Sequence, residues 1–320
     1  MRIAIITPAR PGTRNGNLHT ATRWAAMLRS AGHAVRVLQA WDGRAADLLI
    51  ALHARRSHDS AARWKAAHPR LPLIVVLTGT DLYRDLPASA EARRSLALAD
   101  VLVALQDDAP GRLGTRFRKK AMVVYQSSGT RLRQAAPKDR FRIAVVGHLR
   151  EEKDPFRAVS AAALLPDEQI EVVHIGGALD EAHERAARRW AKREPRYRWL
   201  GSLPHGRTLR WIASSHALVL SSRMEGGANV ISEAARIGTP VLASRMSGNL
   251  GMLGRGYRAF FPVGDTRALA RLIARAMERR FYGVLKKQIG KRRGRFAPAA
   301  ERRSLLRAVR EALRRRPASR

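Results

Sequence analysis

Hydrophobic and polar positions along the chain fall into alternating blocks. Residues 2–7 (RIAIIT) form a short, nearly continuous apolar run, the pattern of a strand buried on both faces. After a Gly/Pro/Arg loop, residues 20–31 place Trp24, Met27 and Leu28 at helical spacing, and Gly32 supplies the left-handed residue that closes such a helix. Strand-sized runs follow at 35–38, 47–52, 73–78, 100–105 and 122–125, with helical segments or turns between them. A polar, basic stretch at 129–140 interrupts the pattern, which then restarts. Residues 142–146 (RIAVV) echo the first strand and Gly147 opens a loop. Strands at 171–175, 216–221 and 240–243 alternate with helices at 155–164, 180–193, 207–214 and 229–237. Such alternation predicts parallel strands with crossover helices, hence two successive doubly wound α/β units facing one another. The expected domains are 1–135, 136–280 and a basic amphipathic helical segment at 281–320. In such sheets ligands bind beyond the carboxyl ends of the strands, and the cleft between two such domains is the default site.

Composition narrows the classes. The 320 residues carry 61 Lys+Arg against 26 Asp+Glu, a net charge of +35. A hydrophobic share of 45% excludes a disordered polybasic chain. No apolar run approaches the ~18–20 residues of a bilayer span, so no membrane span is expected. Residues 1–7 run straight into Pro8 without the features of a secretory signal, and the absence of Cys excludes disulfides and thiolate metal sites. Both suit a cytoplasmic protein. Only nine basic residues are Lys, so Arg serves as the default solvated side chain. Residues 281–320 concentrate the charge, with 14 basic and two acidic side chains. That segment would suit phosphate contacts on RNA or lipid, but Leu305, Leu306, Val309 and Leu313 share one stripe of an amphipathic helix, the preferred reading. Nucleic acid is therefore not expected as a partner.

Two segments have the form strand, Gly turn, helix. The first runs Gly147-His148-Leu149-Arg150-Glu151-Glu152-Lys153. Gly147 permits close backbone approach, and Lys153, with His148 and Arg150, brings donors toward a diphosphate. The second is Glu225-Gly226-Gly227-Ala228-Asn229-Val230-Ile231-Ser232-Glu233, where a turn leads into a helix near Asn229. First-turn amides and the helix dipole favour a phosphate or sugar hydroxyl there. Glu225 and Glu233 on either side can hold hydroxyls at two ends of one elongated ligand. Taken singly, each segment is equally consistent with ordinary turns and surface charges.

Together they resemble the nucleotide-sugar half of GT-B fold glycosyltransferases of the family-4 type. The likeness rests on G-x-L-x-x-x-K ending at Lys153, on Glu225-x7-Glu233, and on Gly238-Thr-Pro240-Val-Leu-Ala-Ser244. It implies that Glu233 holds the nucleotide ribose and Lys153 the diphosphate, while Glu225 and the amides of 226–230 hold donor sugar and phosphates. His148 stands where the family carries Arg, which weakens one leaving-group cation or shifts its role to Arg150.

In that fold the amino-terminal half supplies the acceptor side. Its first loop offers Arg10, Gly12, Thr13, Arg14, Asn15, Gly16 and Asn17, a plausible anion cradle of guanidinium forks and exposed amides. A second loop, Thr78-Gly79-Thr80-Asp81, corresponds to the family's H-G-x-D loop with Thr in place of His. Over residues 1–265 the motifs T-P-A-x-x-G-x-x-x-G-N-x-x-T-A-x-R-W, T-G-T-D-L-Y-R-D and E-G-G-A-N-V-I-S-E resemble the selenosugar synthases of selenoneine biosynthesis. The resemblance implies transfer of N-acetylglucosamine or glucose from a UDP-hexose to selenophosphate, with Lys153, Glu225, Arg10 and Arg14 at the chemistry. No cofactor is expected, nor a metal, since no D-x-D pair is present. The rival expectations are an ordinary hexosyltransferase acting on a hydroxyl acceptor and a basic nucleic-acid-binding protein.

Overall fold

The computed structural model describes residues 1–8, 16–166 and 169–315. Strands β1 (Arg2–Ile6), β2 (Ala34–Leu38), β3 (Leu48–Leu52), β4 (Leu73–Leu77), β5 (Val101–Ala104) and β6 (Ala121–Val123) form one parallel sheet in the order β2-β1-β3-β4-β5-β6. A second parallel sheet, ordered β12-β11-β10-β7-β8-β9, comprises β7 (Phe141–Val146), β8 (Ile170–Ile175), β9 (Tyr197–Trp199), β10 (Ala217–Leu220), β11 (Val241–Ser244) and β12 (Phe260–Phe261). The expected α/β class is therefore present, as two parallel six-stranded sheets.

The apolar runs are continuous in β1, β3, β4 and β5, which are buried on both faces, whereas the edge strands β2 and β6 are only partly buried. Alternate residues of β1 feed two cores. Ile3 and Ile5 join Trp24, Ala25 and Leu28 of α1 (Gly16–Arg29) on one face. Ala4 and Ile6 join Trp64 of α2 (His58–Ala67), and Ala92 and Leu96 of α3 (Ala90–Leu98), on the other.

The chain divides into two compact units. The first comprises Met1–Gln126, Glu225–Gly227 and Pro298–Arg320, and the second Ser127–Met224 and Ala228–Ala297. The second contains α4 (Arg157–Ala162), α5 (Glu181–Arg193), α6 (His205–Ala213), α7 (Asn229–Ile237), α8 (Ser247–Leu253), α9 (Thr266–Met277) and α10 (Arg279–Arg292). The basic segment expected at 281–320 is thus shared. Its first part lies in α10, where Phe281, Leu285 and Ile289 are buried. Its last helix, α11 (Pro298–Arg314), packs Leu305, Ala308, Val309 and Ala312 into the first unit's core beside Trp24. No helix among the described residues is long and apolar enough to cross a membrane.

Candidate functional site

In the second sheet the chain builds outward through β8 and β9 on one side of β7, then returns to lay β10 on the other. The carboxyl ends of β7 and β10 flank this reversal, where open α/β sheets leave a crevice. Both loops that arrive there are those singled out from sequence. After β7 come Gly147 and His148, then a single 3-10 turn over Glu151–Lys153, closed by Asp154 in a left-handed conformation (φ 47°). The Lys153 stem lies along Gly147: a Cβ there would meet Lys153 Cδ at 3.7 Å. From the end of β10, Ser221 Oγ donates to the carbonyls of Lys153 (3.1 Å) and Asp154 (2.8 Å), and Arg223 N donates to Glu152 O (2.8 Å). Asp154 is held in turn by Arg157 Nε at 2.8 Å. The lysine turn is therefore tied to the second loop through its backbone. Arg150, just before the turn, is exposed.

The helix read from sequence at 229–237 is α7, and Gly238 (φ 93°) ends it. Ala228, in extended conformation before it, has no side chain able to cap the first-turn amides. Val230 and Glu233 are buried, and Glu233 Oε1 lies 2.9 Å from Nε2 of His205, the more exposed first residue of α6. Glu225, Gly226 and Gly227 group with the first unit. Within it Gly226 lies so close to the Thr78–Gly79 backbone that a Cβ would fall 2.2 Å from Thr78 O, and one on Gly227 would fall 2.6 Å from Leu105 Cβ. These two glycines are required by packing, whatever else they do.

In the first unit, Arg10, Gly12, Thr13, Arg14 and Asn15 lie outside the described residues. Gly16 and Asn17 form the first turn of α1, where Gly16 O accepts from Thr20 Oγ1 at 2.9 Å. In the loop after β4, the amides of Thr78 and Gly79 donate to Asp81 Oδ1 at 2.9 and 2.8 Å, and Asp81 Oδ2 accepts from Ala54 N at 2.9 Å. Those two amides are thus turned inward onto a fully buried carboxylate. Thr80 is partly exposed, and its Oγ1 lies 3.0 Å from His53 Nε2.

Sequence reasoning missed five participants. Gly176 and Gly177 follow β8 and press on the Gly147 turn: a Cβ on Gly176 would fall 1.8 Å from Gly147 O. Leu149 N donates to Gly177 O at 2.9 Å. His174, buried within β8, lines a small cavity with Gly147, Lys153 and Ser221, and its Nδ1 lies 3.0 Å from Tyr197 Oη. Burial holds its pKa down at about 4. His205 and His53 complete the set. A Gly-Gly pair after a strand was the one available signal; isolated histidines carry none until the fold is known. Among the described residues no group of three or more His, Asp or Glu has the geometry to hold a metal ion.

Residues 130–303 match the family described as glycosyl transferases group 1. Solved structures similar to the chain include Anabaena Alr3699/HepE in complex with UDP and glucose. It has a TM-score of 0.75 and 16% identity, with 97% of this chain and 99% of that one covered. Sucrose-phosphate synthase (tll1590) from Thermosynechococcus elongatus has a TM-score of 0.79 at 16% identity, covering 97% and 98%. The apo lipopolysaccharide outer core galactosyltransferase WaaB has a TM-score of 0.69 at 16% identity, covering 97% and 99%.

Proposed function

The chain belongs to the glycosyl transferases group 1 family and has the GT-B fold, and on that premise we propose that it transfers a hexose from a UDP-sugar to selenophosphate. The selenium lone pair forms the bond to the anomeric carbon while the bond from that carbon to the UDP oxygen breaks. One water then cleaves the selenium–phosphorus bond, leaving selenosugar, UDP and phosphate.

The donor side is carried by one observation: Lys153, tied by its turn to the end of β10, stands at the topological switch of the second sheet. There Lys153 neutralises the departing diphosphate, helped by His148, Arg150 and the amides of 226–230, with Gly147 giving the phosphates room. Glu233 receives the ribose hydroxyls, and Glu225 with Gly226, Gly227, Ala228, Asn229 and Val230 receives the sugar and phosphates. The HepE structure, with UDP and glucose bound, supports UDP as the nucleotide.

Selenophosphate rests on the sequence resemblance and on a chemical argument. A hydroxyl acceptor calls for a general base. His53, the histidine beside the Thr80 loop, is 1% exposed with both ring nitrogens already engaged, by Thr80 Oγ1 and by Arg56 N. An anionic selenium nucleophile needs positioning and charge neutralisation instead, the role given to Arg10, Arg14, Gly12, Thr13, Asn15, Gly16 and Asn17 with Thr80, while Thr78 and Gly79 shape that loop through their amide bonds to Asp81. The test incubates the protein with UDP-N-acetylglucosamine or UDP-glucose and selenophosphate, and follows UDP and a selenium-bearing sugar by mass spectrometry. UDP release with a sugar hydroxyl acceptor but none with selenophosphate overturns the acceptor assignment and leaves the transferase standing.

A further inference from the structure

The first sheet has its own reversal. Its chain lays β2 on one side of β1 and β3 on the other, so the carboxyl ends of β1 and β3 flank its switch point. His53 is the residue immediately after β3. It is 1% exposed and sits at φ 75°, the left-handed region that residues other than glycine occupy only under strain. The fold holds it there from several directions. His53 N donates to Val76 O (2.8 Å), Ser57 Oγ to Leu52 O (2.6 Å), and Ala54 N to Asp81 (2.9 Å).

The ring contacts determine its tautomer. Arg56 N–H points at Nδ1 from 3.3 Å, so Nδ1 is an acceptor and carries no hydrogen. In the neutral ring the hydrogen is then on Nε2, which faces Thr80 Oγ1 at 3.0 Å and Asp85 Oδ2 at 3.8 Å. Desolvation keeps the imidazole below its ordinary pKa, in agreement with a neutral ring. Asp85 is itself clamped by Arg55 Nε at 2.8 Å.

A hydroxyl that accepts from an imidazole N–H directs its own hydrogen elsewhere. We infer that His53 is a positioning residue: as the Nε2–H tautomer it donates to Thr80 Oγ1 and so commits the Thr80 hydroxyl to donate to an oxygen of the acceptor. This rests on the assignment of Thr80 to the acceptor side. The strained backbone at His53 is the means by which the end of β3 delivers a rigid N–H donor to the loop after β4.

Two measurements test it. Long-range proton–nitrogen spectra of histidine-labelled protein report the tautomer without any substrate: Nε2–H is expected at His53, and Nδ1–H overturns the proposal. The second is a double-mutant cycle on acceptor KM, using selenophosphate, or a sugar hydroxyl acceptor if that one releases UDP. Thr80→Val is expected to raise acceptor KM about tenfold, the scale of one hydrogen bond to a charged group, and to leave the UDP-sugar KM unchanged. His53→Gly keeps a backbone suited to φ 75° and is expected to match that rise, with His53→Gln, which retains a donor, recovering part of it. The double variant should be no worse than Thr80→Val alone. Multiplying fold-changes in the double variant overturn the positioning role while sparing Thr80. A silent Thr80→Val overturns both the positioning role and the acceptor assignment of Thr80.

Discussion

Trp24 Nε1 donates to Glu301 Oε1 at 2.7 Å, joining the first long helix of the chain to the last. Arg23 completes the arrangement with two further bonds to the same carboxylate, at 2.9 and 3.0 Å. Glu301 has no exposed side-chain surface, whereas Arg23 retains 15%. A buried charge that loses its partner costs far more than a surface ion pair contributes. Arg23→Ala, which leaves the Glu301 charge buried, is therefore expected to destabilise the protein by about 3 kcal/mol. Chemical denaturation would show it as a lower midpoint, and an unchanged midpoint would mean that the carboxylate is reached by water.

The same helix separates charge from packing. Leu305, Ala308, Val309 and Ala312 face the core, while Arg303, Arg307 and Arg310 are exposed. Leu305→Ala should cost about 2–5 kcal/mol through the cavity it leaves. Replacing the three arginines with Gln should change stability by less than about 0.5 kcal/mol each. Thermal melts of the two variants distinguish a structural helix from a charge-driven one, since the latter would reverse the ranking.

Much of this was legible in the chain, for reasons that differ by residue. Residues 229–237 could be read as a helix because the apolar period, the small residues before it and Gly238 after it all agree locally. The inner strands could be read because burial on both faces leaves an unbroken apolar run. The amphipathic stripe at 305–313 was visible too, but not what it packs against, because Trp24 and Leu28 lie nearly 300 positions away in sequence. Thr78 and Gly79 were read as part of the acceptor loop, and their amides serve Asp81. That depends on where the end of β3 places Ala54, which no local pattern encodes. His53 is invisible for the same reason: its significance comes from a backbone angle and from neighbours in another loop.

Glu233 is positioned by His205, and the pair makes the ribose assignment testable. Removing a charged hydrogen-bonding partner of a ligand costs roughly 1.5–3 kcal/mol, or ten- to a hundredfold in affinity. Glu233→Ala is expected to weaken UDP binding on that scale by calorimetry, and His205→Ala to weaken it less, because the carboxylate remains. Equal UDP affinity in Glu233→Ala and the parent protein would remove Glu233 from the donor site.

Gly176 tests whether the lysine turn depends on its neighbour. A methyl group there would fall 1.8 Å from Gly147 O, a clash with backbone that no side-chain rotation relieves. Gly176→Ala should cost at least about 1–3 kcal/mol and displace the Gly147–His148 turn. The expected signature is a raised UDP-sugar KM together with a lowered melting temperature. By contrast a Cβ at Gly201, also at positive φ (63°), meets nothing within 4 Å, so Gly201→Ala should carry backbone strain and leave KM alone.

His174 gives the protein a defined acid sensitivity. Burial lowers its native pKa to about 4, whereas an unfolded histidine titrates near its ordinary value of 6.5. Above about pH 6.5 neither state binds this proton, and the contribution of the neutral ring is fully present. As pH falls from 6.5 toward 4 the unfolded chain takes up the proton and the native protein does not, so stability is lost, at about 1.4 kcal/mol per pH unit and about 3 kcal/mol in all. Below about pH 4 both states are protonated and the loss stops. His174→Gln keeps a partner for the Tyr197 hydroxyl but does not titrate. The stability difference between parent and variant, measured by denaturation from pH 7.5 to 4, should therefore shift against the parent as pH falls, by up to that amount. A difference that stays constant over this range would mean that the imidazole keeps access to water in the native protein.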